Sequence, residues 1–232
     1  MINYNDVDLT ELIPVKIEDI HVAPIQLNPV ARQRAVAWGA DFVRMGGGTR
    51  KVTVTFALLE SDINTRASLE QEIRDWAKTD KEYVLHLPQF EDRHLECVVT
   101  QLPDFSYRKW WESKLVIEFT CFANPYWTSN ELITVPCGTV FSVGGSATPL
   151  MTIERNGSKL TNQTYASRTE SMLFSEIPAG ALVIDLNRKT AAIGKASIMS
   201  KYKVSSTWIV PKVGANQLIT GNGSIKIRER WV

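Results

Sequence analysis

The stretch KLVIEFTCFANPYW, residues 114–127, joins a clear strand pattern to an abrupt end. Apolar residues recur at every second position: Leu115, Ile117, Phe119 and Cys121. Side chains two positions apart in a β-strand point to the same face of a sheet, so this face is expected to lie in a core. Pro125 has no backbone N–H and cannot continue a hydrogen-bonded ladder, so we predict that the strand ends before it.

The same region is rich in aromatic residues, because residues 107–127 hold a third of the chain's Phe, Trp and Tyr. Two interpretations are open: a stacking platform for sugars or bases, and a structural seam. We favour the seam. One group is expected to be exposed and to contact a neighbouring subunit or partner: Tyr107, Trp110 and Trp111. A second group is expected to fill the joint between two domains: Phe122, Pro125, Tyr126 and Trp127.

The sequence of the first half of the chain predicts a sheet with one covering helix. Period-two alternation predicts further strands over 51–58, 83–87 and 94–101. Apolar residues then recur at helical spacing: Leu69, Ile73, Trp76 and Ala77. They predict one amphipathic helix over residues 63–79, with Ser61 or Asp62 as its N-cap. Because this helix is isolated among strands, we expect it to cover one open face of a sheet.

The second half reads as a β-sandwich without helices. Short apolar segments separated by turn residues predict five strands, over 150–155, 181–186, 190–199, 205–210 and 224–231. We place the domain boundary in the region 128–136. The fold class is therefore mainly β with two domains, 1–130 and 131–232.

The charge balance excludes a general attraction to polyanions. The 232 residues carry 26 basic and 25 acidic side chains, a formal net charge of +1. Neither nucleic acid nor an anionic membrane is therefore expected as a partner of the chain as a whole. We expect no signal peptide and no transmembrane helix, and we expect the three cysteines to be free thiols.

The sequence carries no motif for nucleotide binding, serine hydrolysis or zinc proteolysis. We expect His86 and His94 to be solvated residues beside a hairpin turn rather than metal ligands. Adjacent carboxylates such as Glu91 and Asp92 point to opposite faces of a strand, and nothing in the sequence places an acid pair, Asp104 and Glu112 included, across a cleft. We therefore assign no catalytic residue, no metal site and no cofactor, and we expect that the protein is not an enzyme.

Recognition of host cell-wall saccharide is the alternative function. Sugar-binding β-sandwiches use exposed aromatic rings, and Trp208 is the stacking residue that the second half suggests. However, the apolar Ile209 and Val210 follow it directly, which favours a core position for this indole.

In the order of its features the chain resembles the distal tail (Dit) proteins of siphophages that infect Gram-positive bacteria. The matching features are an Arg-initiated strand, a helix with a Trp near its end, a strand closing on Pro-Tyr-Trp, and three later strand and turn segments. They occupy residues 50–56, 69–76, 117–127, 147–153, 180–185 and 208–231. The identification rests on their order and spacing across nearly the whole chain.

The resemblance implies a structural hub at the tip of a phage tail. Such proteins form homohexameric rings, built by the N-terminal domains, from which galectin-like C-terminal β-sandwiches project. One face of the ring meets the tail tube protein and the other the tail-associated lysin or fibre protein. The periphery can hold receptor-binding proteins, and DNA only passes through the ring. The implied location is the virion, after synthesis in the bacterial host cytoplasm.

Residues 31–49 have no clean period and include three consecutive glycines. We expect them to form an extended arm or hairpin that is ordered by packing on a neighbouring subunit, as ring interfaces permit. The candidate interface residues in this arm are Trp38, Phe42 and Arg44. An ordinary long surface loop is the other interpretation.

Overall fold

The chain divides into two compact units, Met1–Trp127 together with Val232, and Thr128–Trp231. We call them the N-terminal unit and the C-terminal unit. The structure is a computed structural model, and it describes residues 2–26, 29–33, 40–44, 48–58, 63–77, 80–102 and 114–232. Both units are built mainly from β-strands, which confirms the predicted mainly β, two-domain fold.

The N-terminal unit is built on an antiparallel sheet. Its strands are β1 (Asn3–Tyr4), β2 (Val7–Asp8), β3 (Val15–Val22), β4 (Pro29–Gln33), β5 (Ala40–Arg44), β6 (Arg50–Leu58), β7 (Tyr83–His86), β8 (Arg93–Gln101) and β9 (Lys114–Cys121). Hydrogen-bonded neighbours follow the order β2–β1–β7–β8–β9–β6–β3. Strands β4 and β5 form a separate hairpin.

Strand β9 is the strand predicted from the period-two alternation. Its four alternating apolar residues are all buried: Leu115, Ile117, Phe119 and Cys121. Strand β6 lies beside it and places Val52 opposite Phe119, and Val54 opposite Ile117, on the same buried face. The two strands therefore present one continuous apolar surface, as the alternation of each predicts.

Helix α2 (Ile63–Trp76) covers this surface. The other α-helix of the unit, α1 (Leu9–Leu12), is a single turn. The Trp76 ring centroid lies 6.2 Å from that of Phe119 and 5.5 Å from that of Tyr4. The Trp76 Nε1 donates a hydrogen bond to the Val7 carbonyl oxygen at 3.0 Å. The predicted covering helix is thus confirmed; its predicted caps, Ser61 and Asp62, lie outside the described residues.

The C-terminal unit is a β-sandwich. Its strands are β11 (Ile133–Pro136), β12 (Val140–Val143), β13 (Ala147–Gly157), β14 (Leu160–Ala166), β15 (Ser171–Ile177), β16 (Gly180–Asp185), β17 (Thr190–Ile193), β18 (Ala196–Ser197), β19 (Gly214–Leu218) and β20 (Ser224–Trp231). Strand β10 (Trp127–Ser129) lies at the boundary between the units.

The sandwich has two layers around a common core. One layer has the order β18–β17–β16–β13–β20–β11. The other contains the pairs β12–β19 and β14–β15, joined by a bridge between Ala166 and Thr220. Met151 and Ile153 from the first layer and Tyr165 and Phe174 from the second belong to one buried cluster.

Three details of the C-terminal unit differ from the sequence prediction. Residues 190–199 form the β17–β18 hairpin rather than one strand, because Gly194 adopts φ +58° and turns the chain. Residues 205–210 are not a strand, although Trp208 and Ile209 are buried as their apolar character predicts. A short 3-10 helix, Met199–Lys201, interrupts the expected helix-free sandwich.

Candidate functional site

The candidate interface residues of the arm fall partly on the β4–β5 hairpin. Phe42 lies opposite Ala31 in this hairpin, and Arg44 lies opposite Pro29. The hairpin form is one of the two shapes that the sequence allowed. Four other candidates lie outside the described residues: Trp38, Tyr107, Trp110 and Trp111.

The candidate joint residues lie on residues 121–127, which we call the exit segment because they lead out of the N-terminal unit. A carboxylate from the neighbouring β7 region holds its start. Glu82 Oε1 accepts hydrogen bonds from the backbone N–H of Phe122 at 2.6 Å and of Ala123 at 2.9 Å. These two amides follow the last residue of β9, so the Glu82 carboxylate caps the end of the strand.

The following residues of the exit segment turn inward. Asn124 is buried, and its Oδ1 accepts from the Tyr126 N–H at 3.4 Å. Pro125 is also buried. Because proline has no backbone N–H, its burial leaves no main-chain donor without a hydrogen bond. The segment is therefore a fixed turn that ends the ladder, as the proline predicts.

The aromatic residues of the exit segment differ in exposure. Trp127 is buried, and its ring centroid lies 4.7 Å from that of Phe90 in the β7–β8 turn. Tyr126 is half-buried, whereas Phe122 is 55% exposed. Trp127 thus anchors the end of the segment in the N-terminal unit, and Phe122 is the joint candidate with a large accessible apolar surface.

Arg50 lies directly opposite Cys121 at the start of the exit segment. It is only 3% exposed, and within the described part of the chain its Nε and Nη1 have no hydrogen-bond partner. Burial lowers the pKa of this guanidinium. A buried cation with unpaired donors is costly, so Arg50 is an element of local strain rather than a stabilising ion pair.

Among the described residues, His86 and His94 have no third metal-binding side chain beside them. The ring centroids of His86 and His94 lie 5.7 Å apart, but His94 is buried, so the prediction that both are solvated is wrong for His94. Burial, and then the neighbouring His94, lower the pKa of His86. No cluster of three or more His, Cys, Asp or Glu side chains suited to a metal ion occurs among the described residues.

Trp208 is not available for stacking on a sugar. Its side chain is 8% exposed, and its Nε1 donates a hydrogen bond to the Leu186 carbonyl oxygen at 3.0 Å. Its ring lies 5.3 Å from that of Tyr202 in an edge-on arrangement. The residue on which the saccharide alternative depended is therefore part of the core.

Sequence reasoning missed Glu82, Phe90 and the burial of Arg50. Glu82 accepts from backbone amides that are 40 and 41 residues away in the sequence, and backbone N–H donors leave no residue pattern. Phe90 lies in the polar turn PQFEDR, where a single apolar side chain is the signal that could have indicated a packing contact.

No helix in the described residues is long and apolar enough to cross a membrane.

The architecture defines a mainly β, two-domain protein with a fold found in a phage hub protein. The chain is similar to the Dit protein of SPP1, a hub of the adsorption apparatus in phages that infect Gram-positive bacteria. The TM-score is 0.76 at 13% sequence identity, over 100% of this chain and 98% of that chain. The chain therefore has the fold of a Dit protein.

Two structures of the phage p2 baseplate in its activated conformation, with Ca and with Sr, show a weaker likeness. Their TM-scores are 0.46 and 0.45 at 9% identity, over 93% and 92% of this chain and 90% of each of those chains. No protein-family model matches the sequence, and no curated protein sequence matches it.

Proposed function

We propose that this protein is a structural hub of a siphophage tail tip or baseplate and has no catalytic role. The observation that carries the proposal is the likeness of fold to SPP1 Dit along the full length of both chains. The two β-rich units and the separate β4–β5 hairpin support it, since an assembly subunit needs rigid domains and a segment that can reach a neighbour.

In this role, the chain forms a homohexameric ring. The N-terminal domain, 1–130, builds the ring, and the galectin-like C-terminal domain, 131–232, projects from it. The ring joins the tail tube protein to the tail-associated lysin or fibre protein and to receptor-binding proteins, and DNA crosses it only in passage. The protein is made in the host cytoplasm and resides in the virion.

The interface residues of this proposal are those expected from the sequence: Trp38, Phe42, Arg44, Tyr107, Trp110 and Trp111. Large aromatic residues and arginine dominate the binding energy of protein interfaces, which supports this choice. The residues proposed to fill the domain joint are Phe122, Pro125, Tyr126 and Trp127. The exposed ring of Phe122 supports that assignment, because an accessible aromatic side chain gains most from being covered.

Light scattering coupled to size-exclusion chromatography tests the proposal. We expect a hexamer, and rings in negative-stain electron microscopy that bind the tail tube protein and the tail lysin of the same phage. The double variant Trp110→Ala/Trp111→Ala is expected to weaken the ring, with an unchanged circular dichroism spectrum as the control for folding. A protein that stays monomeric at high concentration and binds neither tail protein contradicts the proposal.

A further inference from the structure

The C-terminal unit contains a cavity of about 280 Å³ that the proposed hub role does not use. It is bounded by the turn 167–170, the segment 209–213 and strand β19, and we call it the β19 pocket. Four buried apolar side chains line it: Met151, Ile209, Pro211 and Ile219. A cavity with an apolar floor that opens to solvent is the usual form of a binding site.

The rim of the β19 pocket is also apolar where it meets solvent. Val210 and Val213 line the cavity and are 47% and 41% exposed. Ala215 lines it as well and is exposed. The apolar floor therefore continues outward onto the surface, so that a ligand entering the cavity would also cover these side chains.

The size of the pocket favours one side chain over a whole small molecule. Sites for drug-sized ligands measure about 300–1,000 Å³, so this cavity lies just below that range. It suits a single large apolar side chain of the kind that anchors protein interfaces. No aromatic side chain occurs among its described lining residues, so it offers no flat face for stacking a sugar ring.

The charges at the rim indicate the chemistry of the partner. Lys212 Nζ lies 2.9 Å from Glu170 Oε1, and Glu170 Oε2 accepts a hydrogen bond from Ser167 Oγ at 2.6 Å. These two charges neutralise each other. Arg168 is exposed beside them and has no ion-pair partner in the described part of the chain. The mouth of the pocket therefore has one unbalanced positive charge.

We propose that the β19 pocket binds a large apolar side chain of a partner protein, whose adjacent Asp or Glu pairs with Arg168. The apolar floor supplies the binding surface, and the arginine selects the sequence beside the anchor. This site lies wholly within the C-terminal unit, so the proposal stands whether or not the chain forms a ring.

Methyl NMR on the full chain, labelled at Met and Ile, tests the proposal through the methyl signals of Met151, Ile209 and Ile219. The probes are the capped dipeptides acetyl-Trp-Glu-amide, acetyl-Trp-Lys-amide and acetyl-Ser-Glu-amide. We expect acetyl-Trp-Glu-amide to shift these signals saturably and to bind about tenfold more tightly than acetyl-Trp-Lys-amide. We expect acetyl-Ser-Glu-amide to leave them unchanged.

Two pairs of variants separate the pocket from general surface effects. Arg168→Glu is expected to abolish the preference for the acidic dipeptide, whereas Lys195→Glu makes the same charge change at an exposed turn and should preserve it. Ala215→Trp is expected to fill the pocket and prevent binding, whereas Ala196→Trp places the same ring on the exposed β18 and should not.

Several results would overturn the proposal. They are the absence of saturable shifts with acetyl-Trp-Glu-amide, equal binding of the acidic and basic dipeptides, and equal effects of Arg168→Glu and Lys195→Glu. Shifts of the same methyl signals by N-acetylglucosamine would assign the pocket to a saccharide instead. Shifts that grow with protein concentration in the absence of peptide would assign it to a second copy of the chain.

Discussion

Glu82 determines how β9 ends, although nothing in its sequence neighbourhood indicates this role. Its carboxylate bonds two successive amides, those of Phe122 and Ala123, at the point where the ladder stops. An unpaired strand end would otherwise leave these amides to solvent, and the direction of the exit segment would not be fixed. The side chain therefore links β7 to the exit segment through charge-assisted hydrogen bonds.

We expect Glu82→Ala to lower the free energy of unfolding of the N-terminal unit by about 1–3 kcal/mol, because two amides lose a charged acceptor. Glu82→Gln should cost less, since its side-chain carbonyl still accepts a hydrogen bond. Urea unfolding measures the loss, and hydrogen exchange at Phe122 and Ala123 localises it. Glu72→Ala, at an exposed site on α2, is the control. Equal effects of Glu82→Ala and Glu72→Ala would show that the Glu82 hydrogen bonds do not stabilise the end of β9.

Arg50 leads to the opposite expectation. Its buried guanidinium leaves Nε and Nη1 unpaired among the described residues, so the charge costs more than it contributes. Arg50→Met keeps the aliphatic volume and removes the charge, and we expect its free energy of unfolding to equal or exceed that of the unchanged protein. Arg50→Ala should lower it by about 2 kcal/mol or more through the cavity it leaves. A loss as large for Met as for Ala would show that the charge is required.

At the scale of elements, Trp76 attaches helix α2 to the sheet, beside the buried Leu69 and Ile73 of the same apolar stripe. Trp76 contacts Tyr4 of β1 and Phe119 of β9, and its Nε1 donates a hydrogen bond to the Val7 carbonyl oxygen of β2, so it joins the helix to three strands of the sheet. We expect Trp76→Ala to lower the free energy of unfolding by about 3–5 kcal/mol. Trp76→Phe should cost less, because it keeps most of the ring and loses the hydrogen bond. Thermal and urea unfolding check both; a loss below about 1 kcal/mol for Trp76→Ala would contradict this account.

The turn 167–170 makes the C-terminal unit sensitive to acid. The hydrogen bond from Ser167, together with Lys212, holds the pKa of Glu170 below its ordinary value. The folded pKa is thus lower than the unfolded one, so this stabilisation is complete above the unfolded value and is lost as pH falls through the folded value. Carboxyl NMR titration should show the Glu170 midpoint below that of an ordinary glutamate, moving upward in Ser167→Ala. An unchanged midpoint in Ser167→Ala would contradict the assignment.

The elements that could be predicted from sequence are those in which the spacing of apolar residues matches the buried face. Strands β6 and β9 alternate because one face is buried, and α2 shows its apolar stripe for the same reason. Strand β14 was missed because Tyr165 is its only fully buried side chain, so it shows no alternation. Residues 205–210 were assigned wrongly, because burial of Trp208 and Ile209 makes a strand-like pattern without a strand partner.

The candidate site was less predictable than the fold, for a physical reason. The effect of Pro125 on the strand could be predicted, because the missing N–H that ends the ladder is a property of the residue itself. The partners of Glu82 and the mouth of the β19 pocket are brought together from distant parts of the chain by tertiary structure. Such contacts depend on the register of strands and on the position of turns, which local patterns do not specify.

At the scale of the whole molecule, the C-terminal unit has the features of an independent folding unit. The C-terminal unit has a core drawn from both of its layers. Its first residues are attached to it, because Arg228 Nη1 donates hydrogen bonds to the carbonyl oxygens of Ser129 at 3.0 Å and Asn130 at 3.1 Å. Thr128 is buried as well. The chain from residue 128 onward is thus expected to fold without the preceding residues.

A fragment of residues 128–232 is therefore expected to unfold cooperatively in urea, with dispersed amide signals in its NMR spectrum. A second fragment, 131–232, begins at the boundary expected from sequence alone and lacks both acceptors of Arg228. We expect it to be less stable by about 1–3 kcal/mol, because a half-buried guanidinium loses two hydrogen bonds. Arg228→Ala should remove most of the difference between the two fragments, since neither fragment then has the Arg228 hydrogen bonds. If both fragments are equally stable with Arg228 intact, residues 128–130 belong to the N-terminal domain.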